Sequence, residues 1–410
     1  MRAWQRKLIL STALACALGS AAAIAATPST SPAPAATPLP DKMMQTAPAV
    51  TGKSAAAPAI PSIQINAPSW LLMDYASGQV LASYNEHEHL PPASLSKIMT
   101  AYVVAEAVQQ KHIAWSDRVT VSPFAAHTGG SKMFLKSGEQ VTVEDLTKGM
   151  VIVSGNDATV ALAEFLAGSE DAFVGLMNQT AQQLGMKDTH FVNANGLSDP
   201  QQYSSAYDLA VLSRALIMNY PDEFALHSQK YFIWNGIRQH NRNRLLWTNP
   251  KVDGLKTGFT DTAKYCLVAT EKDGDMRLIA VVMGAASPAI RSQEAQKLLT
   301  YGFRFYDSKK LYSAKQTIQQ LPVASGTTSQ VAVGVSQDFY VTYPRSQDGG
   351  LQASLDLPSK LTAPISEGQE IGTVNVSFNG KIIATAPVVA LSAVERGSFM
   401  QRTVNWFKNW

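Results

Sequence analysis

The ten residues PPASLSKIMT, 91–100, decide how the rest of the chain is read. Helical spacing of Ile98, Met99, Tyr102, Val103 and Val108 predicts a helix running on from them. On that helix Ser94 and Lys97 stand at i and i+3, on neighbouring faces of one turn, so hydroxyl and amine can meet. Most of the following residues are apolar, so the helix is expected in the core. A buried lysine is costly when charged and its pKa falls, which is what a base near neutral pH requires. Ser94 at the helix start also sets backbone N–H groups near a developing oxyanion. A plainer reading exists: serine after Pro-Ala is a good N-cap, and Lys97 could snorkel to solvent. Ser-x-x-Lys alone is weak, with about one or two chance matches expected at this length. Other parts of the chain have to choose.

Ser154-Gly155-Asn156, in VIVSGNDATV, lies between two helix-like runs and therefore on a turn, where a hydroxyl can relay protons and an amide can hold a backbone. Ser-x-Asn recurs at Ser83-Tyr84-Asn85, inside an expected N-terminal hairpin, and at Ser377-Phe378-Asn379, an expected β-turn, and both are set aside. Lys256-Thr257-Gly258 falls on an expected strand; roughly a tenth of a chance match is expected from composition. Gly258 lets a substrate backbone lie against that strand, while Lys256 and Thr257 present a charge and a hydroxyl. Glu86-His87-Glu88-His89 has metal-ligand residue types, but it lies in a polar loop with no fourth fixed ligand, so no metal is expected there.

Farther out, SWLLMDY and QVLASYN flank Ser77-Gly78 and predict a β-hairpin. Residues 140–220 read as mostly helical. VDGLKTGF, YCLVATEK and MRLIAVVMG return to strand patterns, and SQEAQKLLTYGFRFY reads as a closing helix. Strands at both ends with helices between predict one α+β domain with a mixed-order sheet, over residues 63–308. From 309 to 391 short β-branched runs between Gly, Asn and Pro turns predict a small all-β domain without catalytic residues. Residues 392–410 predict an amphipathic helix. Phe399, Met400, Val404, Trp406, Phe407 and Trp410 fall in one arc, and Gln401, Arg402, Asn405, Lys408 and Asn409 in the other. It is too short to span a bilayer and suits an anionic membrane surface, with docking on the β domain as the alternative.

Residues 1–25 carry Arg2, Arg6 and Lys7, an apolar run and small residues ending Ala23-Ile24-Ala25, the order of a secretory signal peptide. Residues 26–62, rich in Ala, Pro, Ser and Thr, read as a disordered spacer. The 410 residues hold two cysteines, Cys16 and Cys266, and only Cys266 follows the expected cleavage, so no intramolecular disulfide is expected. A net charge of +3 without a basic aromatic stripe argues against nucleic acid.

The order Ser-x-x-Lys, Ser-x-Asn, Lys-Thr-Gly is far more specific than any one part. With PASLSKIMT, MFLKSGEQVTVEDLTKGMVIVSGNDA, YSSAYDLAVLSRA, NRNRLLWTNPKVDGLKTGFTD and MRLIAVVMG, it resembles the low-molecular-mass penicillin-binding proteins that act as serine D-alanyl-D-alanine carboxypeptidases. The resemblance runs from about Ile63 to the C-terminus. It implies a penicillin-binding/β-lactamase-like domain, a helical cluster plus an antiparallel sheet. It implies that Ser94 attacks the penultimate D-alanine carbonyl of a peptidoglycan pentapeptide ending in D-Ala-D-Ala, and that β-lactams acylate the same serine. Lys97 would accept the Ser94 proton. Ser154, linked to Lys97 and Lys256, would protonate the departing nitrogen. Asn156 would hold Lys97 and the substrate amide. Backbone N–H groups of Ser94 and Phe259 would form the oxyanion hole beside Gly258. Thr257, Arg242 and Arg291 would meet the terminal carboxylate. No cofactor is implied, and the location implied is the periplasmic face of the cytoplasmic membrane. The chain departs from the family at Phe259 and Asn195, where relatives often carry histidine, and in the SPAIR loop around Arg291. A β-lactamase on the same fold is disfavoured because NANGLSDPQQYSS lacks glutamate, and an inactive peptide-binding relative because all three motifs are intact.

Overall fold

The computed structural model describes residues 60–398 apart from residue 346. The expected signal peptide and most of the expected terminal helix lie outside these residues. Strand β1 (Ser69–Asp74) pairs antiparallel with β2 (Val80–Tyr84), as the hairpin pattern requires. The turn is closed by the Asp74 carboxylate, which accepts from the Ser77 amide and hydroxyl at 2.8 Å each, and Gly78 supplies the positive φ of 72°. Strands β3 (Val252–Thr260), β4 (Lys264–Asp273) and β5 (Met276–Ala285) form a meander. The sheet order is β2-β1-β5-β4-β3, and each pairing is antiparallel. The expected mixed order is thus one of sequence, not of direction: the first strand sits beside the last, and the helices fill the interval.

Alternation along these strands builds two cores. Leu71 and Met73 of β1, Cys266 and Val268 of β4, and Ile279 and Val281 of β5 face the helical cluster. Trp70, Leu72, Leu267, Ala269, Leu278 and Ala280 face a long helix at the other side. Period-2 side-chain direction makes this unavoidable once both faces are covered. The cluster contains α1 (Lys97–Gln109), α2 (Val143–Ile152), α3 (Asn156–Ala167), α4 (Glu170–Gln183) and α5 (Ala206–Asn219). Helix α6 (Pro288–Phe305) covers the opposite face, starting at an N-cap where Ser287 accepts from the Ile290 amide. SPAIR, read from sequence as loop, is therefore the cap and first turn of α6.

The small domain begins at Tyr306, where α6 ends, and contains a six-stranded and a two-stranded sheet. Tyr306 OH donates to the Leu81 carbonyl at 3.0 Å, and the hydroxyls of Ser77 and Thr342 lie 2.7 Å apart, joining it to the first hairpin. Val394 pairs with Ile365 and Arg396 with Gly326, so the described end of the chain runs extended along the β domain. The helix expected from 392 is absent up to 398, because that stretch is taken up by bridge pairing. No helix among the described residues is long and apolar enough to cross a membrane.

Candidate active site

Ser94 sits on a 3₁₀ turn, Ala93–Ser96, that runs into α1. Its side chain caps neither helix, so the bland reading of this serine does not hold. Ala93, just before it, has a φ of 48°, a left-handed conformation costing a non-glycine residue about 1–3 kcal/mol. The surroundings enforce it. A Cβ on Gly196 would stand 1.9 Å from the Ala93 carbonyl oxygen, and one on Gly258 would stand 3.0 Å from Pro92 O and 3.3 Å from Ser94 N. Two glycine backbones therefore pack against the turn where any side chain would collide.

Lys97 is the first residue of α1 and is fully buried. Leu95, Ile98 and Met99 are buried with it, each contributing about 1.5–3 kcal/mol, enough for this element to carry one desolvated amine. Its Nζ lies 3.2 Å from Ser94 Oγ and 2.7 Å from Asn156 Oδ1, and also meets the Asn195 carbonyl. Burial lowers its pKa to about 7; the Arg242 charge pushes the same way, and Asp157 and Glu170 oppose it. An amine at that pKa is neutral in a large share of molecules at neutral pH and can take the Ser94 proton.

Ser154, between α2 and α3, has a φ of 65°, a second strained non-glycine backbone at the site. Lys256 on β3 donates to Ser154 Oγ at 2.9 Å and to the Thr257 carbonyl at 2.9 Å. Burial holds Lys256 well below the usual lysine range, with Lys97, Arg242 and Arg291 adding to the effect. Each serine thus has its own lysine: the Lys97 amine is occupied by Ser94, Asn156 and Asn195, and the link from Ser154 runs to Lys256. Asn156 ties the first pair to the loop before α2, since its Oδ1 accepts from Lys97 and its Nδ2 donates to the Gly129 carbonyl at 2.7 Å.

Beneath these groups lies a scaffold that motif reading missed. Asp157 is fully buried and accepts from the amides of Met133, Phe134 and Leu135 at 2.8–3.1 Å, lashing that loop to the head of α3. Its place right after Ser-Gly-Asn, in the first turn of a helix, was the available signal. His227 and Glu223, both buried, brace β3: one ring nitrogen meets the Leu255 carbonyl at 3.0 Å and the other the Glu223 carboxylate at 3.0 Å. Asn243 donates to Gly254 O at 2.8 Å in the same strand.

The remaining expected residues line a cleft of about 640 Å³ that contains Ser94, Ser154, Asn156, Thr257, Gly258, Phe259, Arg242 and Arg291. Strand β3 forms its wall and is the edge of the sheet. Arg242 is exposed, and its Nη1 donates to Ser131 Oγ at 2.7 Å. Arg291, on the first turn of α6, is buried, with its Nη1 on the carbonyls of Gly258 at 3.0 Å and Cys266 at 3.4 Å. Phe259 is 47% exposed and stacks on Tyr265, ring centroids 4.4 Å apart. Outside the cleft, His87 and His89 both meet the Asp188 carboxylate, and no group of three or more His, Cys, Asp or Glu side chains placed to hold a metal ion is found among the described residues.

A serine beside a neutralised lysine, a second serine–lysine pair across the same cleft, and an edge strand to hold an extended chain define a serine acyl-transfer enzyme of the penicillin-binding type. The D-alanyl-D-alanine carboxypeptidase family matches residues 51–287, and the family described as penicillin-binding protein 5, C-terminal domain, matches residues 306–396. The chain is 46% identical over 372 residues to D-alanyl-D-alanine carboxypeptidase DacC of Escherichia coli (strain K12), covering 87% of this chain and 93% of that protein. Against DacA of the same organism the identity is 44% over 359 residues, covering 86% and 89%. Among solved structures, penicillin-binding protein 5 from Haemophilus influenzae matches with a TM-score of 0.79 at 41% identity, covering 82% of this chain and 100% of that one. Penicillin-binding protein D2 from Listeria monocytogenes, in an ampicillin-bound form, matches at 32% identity and a TM-score of 0.53, covering 59% and 99%. The chain belongs to the D-alanyl-D-alanine carboxypeptidase family and is a hydrolase of that kind.

Proposed function

We propose that this carboxypeptidase removes the terminal D-alanine of peptidoglycan stem pentapeptides through an acyl-enzyme on Ser94. The observation that carries the reading is the fully buried Lys97 amine, 3.2 Å from Ser94 Oγ with its pKa lowered to about 7. Neutral Lys97 takes the proton as Ser94 Oγ bonds to the penultimate D-alanine carbonyl carbon. The oxyanion is met by the N–H groups of Ser94 and Phe259. As the tetrahedral adduct collapses, Lys256 passes a proton through Ser154 to the D-alanine nitrogen, the C–N bond breaks and D-alanine leaves. Water then cleaves the ester: Lys256, left neutral, takes the water's proton through Ser154, and Lys97 returns its proton to Ser94 Oγ as the acyl–oxygen bond breaks. Thr257 and Arg242 meet the free carboxylate, which restricts the enzyme to chain ends.

D-Alanine release from a purified pentapeptide tests this, with wild type and Ser94→Ala side by side. Release by wild type alone is expected; release by both defeats the assignment of the nucleophile. β-Lactams present the same acyl group in a strained ring, and the ampicillin-bound neighbour supports acylation of Ser94 by them. A Ser94 adduct should appear by mass spectrometry.

The proposal extends to location. Export is followed by attachment of residues 399–410 to the outer surface of the cytoplasmic membrane, where the aromatic arc meets the headgroup region and Arg402 and Lys408 meet anionic lipid. Deleting 399–410 should abolish co-sedimentation with anionic vesicles and leave D-alanine release unchanged. Unaltered vesicle binding by the truncated protein defeats that part.

A further inference from the structure

Arg291 does not point at the cleft as a free cation. The residue is 6% exposed, and its Nη1 donates to the Gly258 carbonyl at 3.0 Å and to that of Cys266 at 3.4 Å. Gly258 and Cys266 are cross-strand partners of β3 and β4, and one Nη1 reaching both their carbonyls places the Gly258 carbonyl on the inner side of β3, toward β4 and α6. That carbonyl and the Phe259 N–H are two ends of one planar trans peptide unit and point in opposite directions. Holding the carbonyl inward holds the N–H outward, at the sheet's open edge. There Gly258 already abuts the nucleophile turn, with a built Cβ 3.3 Å from Ser94 N. A charge-assisted hydrogen bond to a carbonyl also polarises the whole amide and strengthens its N–H as a donor. The guanidinium lies 5.6 Å from the Tyr265 ring centroid, and that ring stacks on Phe259, so the aromatic pair seats both the arginine and the residue it acts through.

We infer that Arg291 is a positioning residue for the oxyanion hole, acting through the Gly258–Phe259 peptide, and that recognition of the substrate carboxylate is the task of Arg242 and Thr257. This rests on the proposed acyl-transfer reading of the site. The competing role for Arg291 is direct contact with the carboxylate, and the two make opposite demands on substrate structure. An oxyanion donor is needed whatever the leaving group, whereas a carboxylate anchor matters only when a carboxylate is present.

The test uses a matched pair of acyl-D-alanyl thioesters, one with a leaving group ending in a carboxylate and one ending in an amide. It compares wild type, Arg291→Lys, Arg291→Gln and Arg242→Gln. Both Arg291 variants should lose between about 10- and 100-fold in kcat on both thioesters, less than the about 100- to 1,000-fold of deleting a donor outright. The carboxylate-to-amide rate ratio should stay at the wild-type value. Arg242→Gln should collapse that ratio instead. In Arg291→Lys, which keeps the charge and guards against misfolding of the glutamine variant, the Phe259 amide ¹⁵N and ¹H resonances should move upfield. Loss confined to the carboxylate-bearing thioester overturns the inference, as does a rate within twofold of wild type on both. Failure of wild type to acylate Ser94 with either thioester is a different result, and defeats the underlying reading of the site.

Discussion

The helix-and-sheet domain buries Lys97, Asp157, Glu223, His227, Lys256 and Arg291, whereas among the described residues from 306 onward Thr342 is the only buried polar side chain. Both domains fold around apolar cores, so stability alone does not require those six groups. Desolvating an ionised side chain costs several kcal/mol unless partners make it good. These six lie at or beneath one cleft, while Asp74, Asp208, Glu271 and Glu294 are buried elsewhere in the same domain; among the described residues the β domain buries no charged side chain. Two positive-φ non-glycine backbones, Ala93 and Ser154, adjoin or form the site.

Removing the nucleophile should break this contrast most completely. Ser94→Ala should lower D-alanine release at least about 10³-fold with the melting temperature unchanged. Lys97→Met comes next and sharpens it. Activity should fall about 10²- to 10⁴-fold, while the melting temperature changes by only a few degrees, because relief of a desolvated amine offsets the Asn156 Oδ1 and Asn195 carbonyl left without their donor. A variant that melts many degrees lower would make Lys97 a structural residue.

The same lysine predicts two pH dependences. Acylation needs the neutral amine, so kcat/KM should rise about tenfold per pH unit below pH 7 and level off above it. Its stability effect has the same sign. Between about pH 7 and the ordinary lysine value of 10.5, the unfolded chain holds a proton that the folded chain does not, so stability rises with pH across that window. Lys97→Met should reduce this rise without abolishing it, because Lys256 is depressed in the same direction, and denaturant titrations of both proteins at pH 7 and pH 9 would measure the difference. The smallest effect on function belongs to the other domain. Val374→Ala, at a fully buried position, should destabilise the β domain by about 2 kcal/mol and leave kcat/KM within twofold of wild type. A large loss of activity there would mean that the two domains are coupled at the cleft.

The two serine–lysine pairs differ in how openly they are written. Ser94 and Lys97 are three residues apart, and helix geometry alone brings them together. Lys256 reaches Ser154 across 102 residues, and only the order of recognisable motifs announced it. The hairpin, the three-strand meander and the all-β domain were legible because period-2 patterning and short turns are local signals. Arg291 was harder. Its loop-like setting in SPAIR hid a helix start, and its guanidinium turned out to hold strand carbonyls. Asn195 acts through a main-chain carbonyl on Lys97, which no side-chain motif records. Asp157 was visible as a residue but not as the anchor of a loop more than twenty positions earlier.

By itself, then, the sequence determined which groups were available for chemistry, which segments could be helix or strand, and that Ser94 had a lysine within reach. The tertiary structure decided that this lysine is desolvated, which serine each lysine serves, and which way the Gly258–Phe259 peptide faces. Helix and strand periodicity act over a few residues, whereas pKa values, backbone strain and close approach depend on atoms brought in from distant parts of the chain.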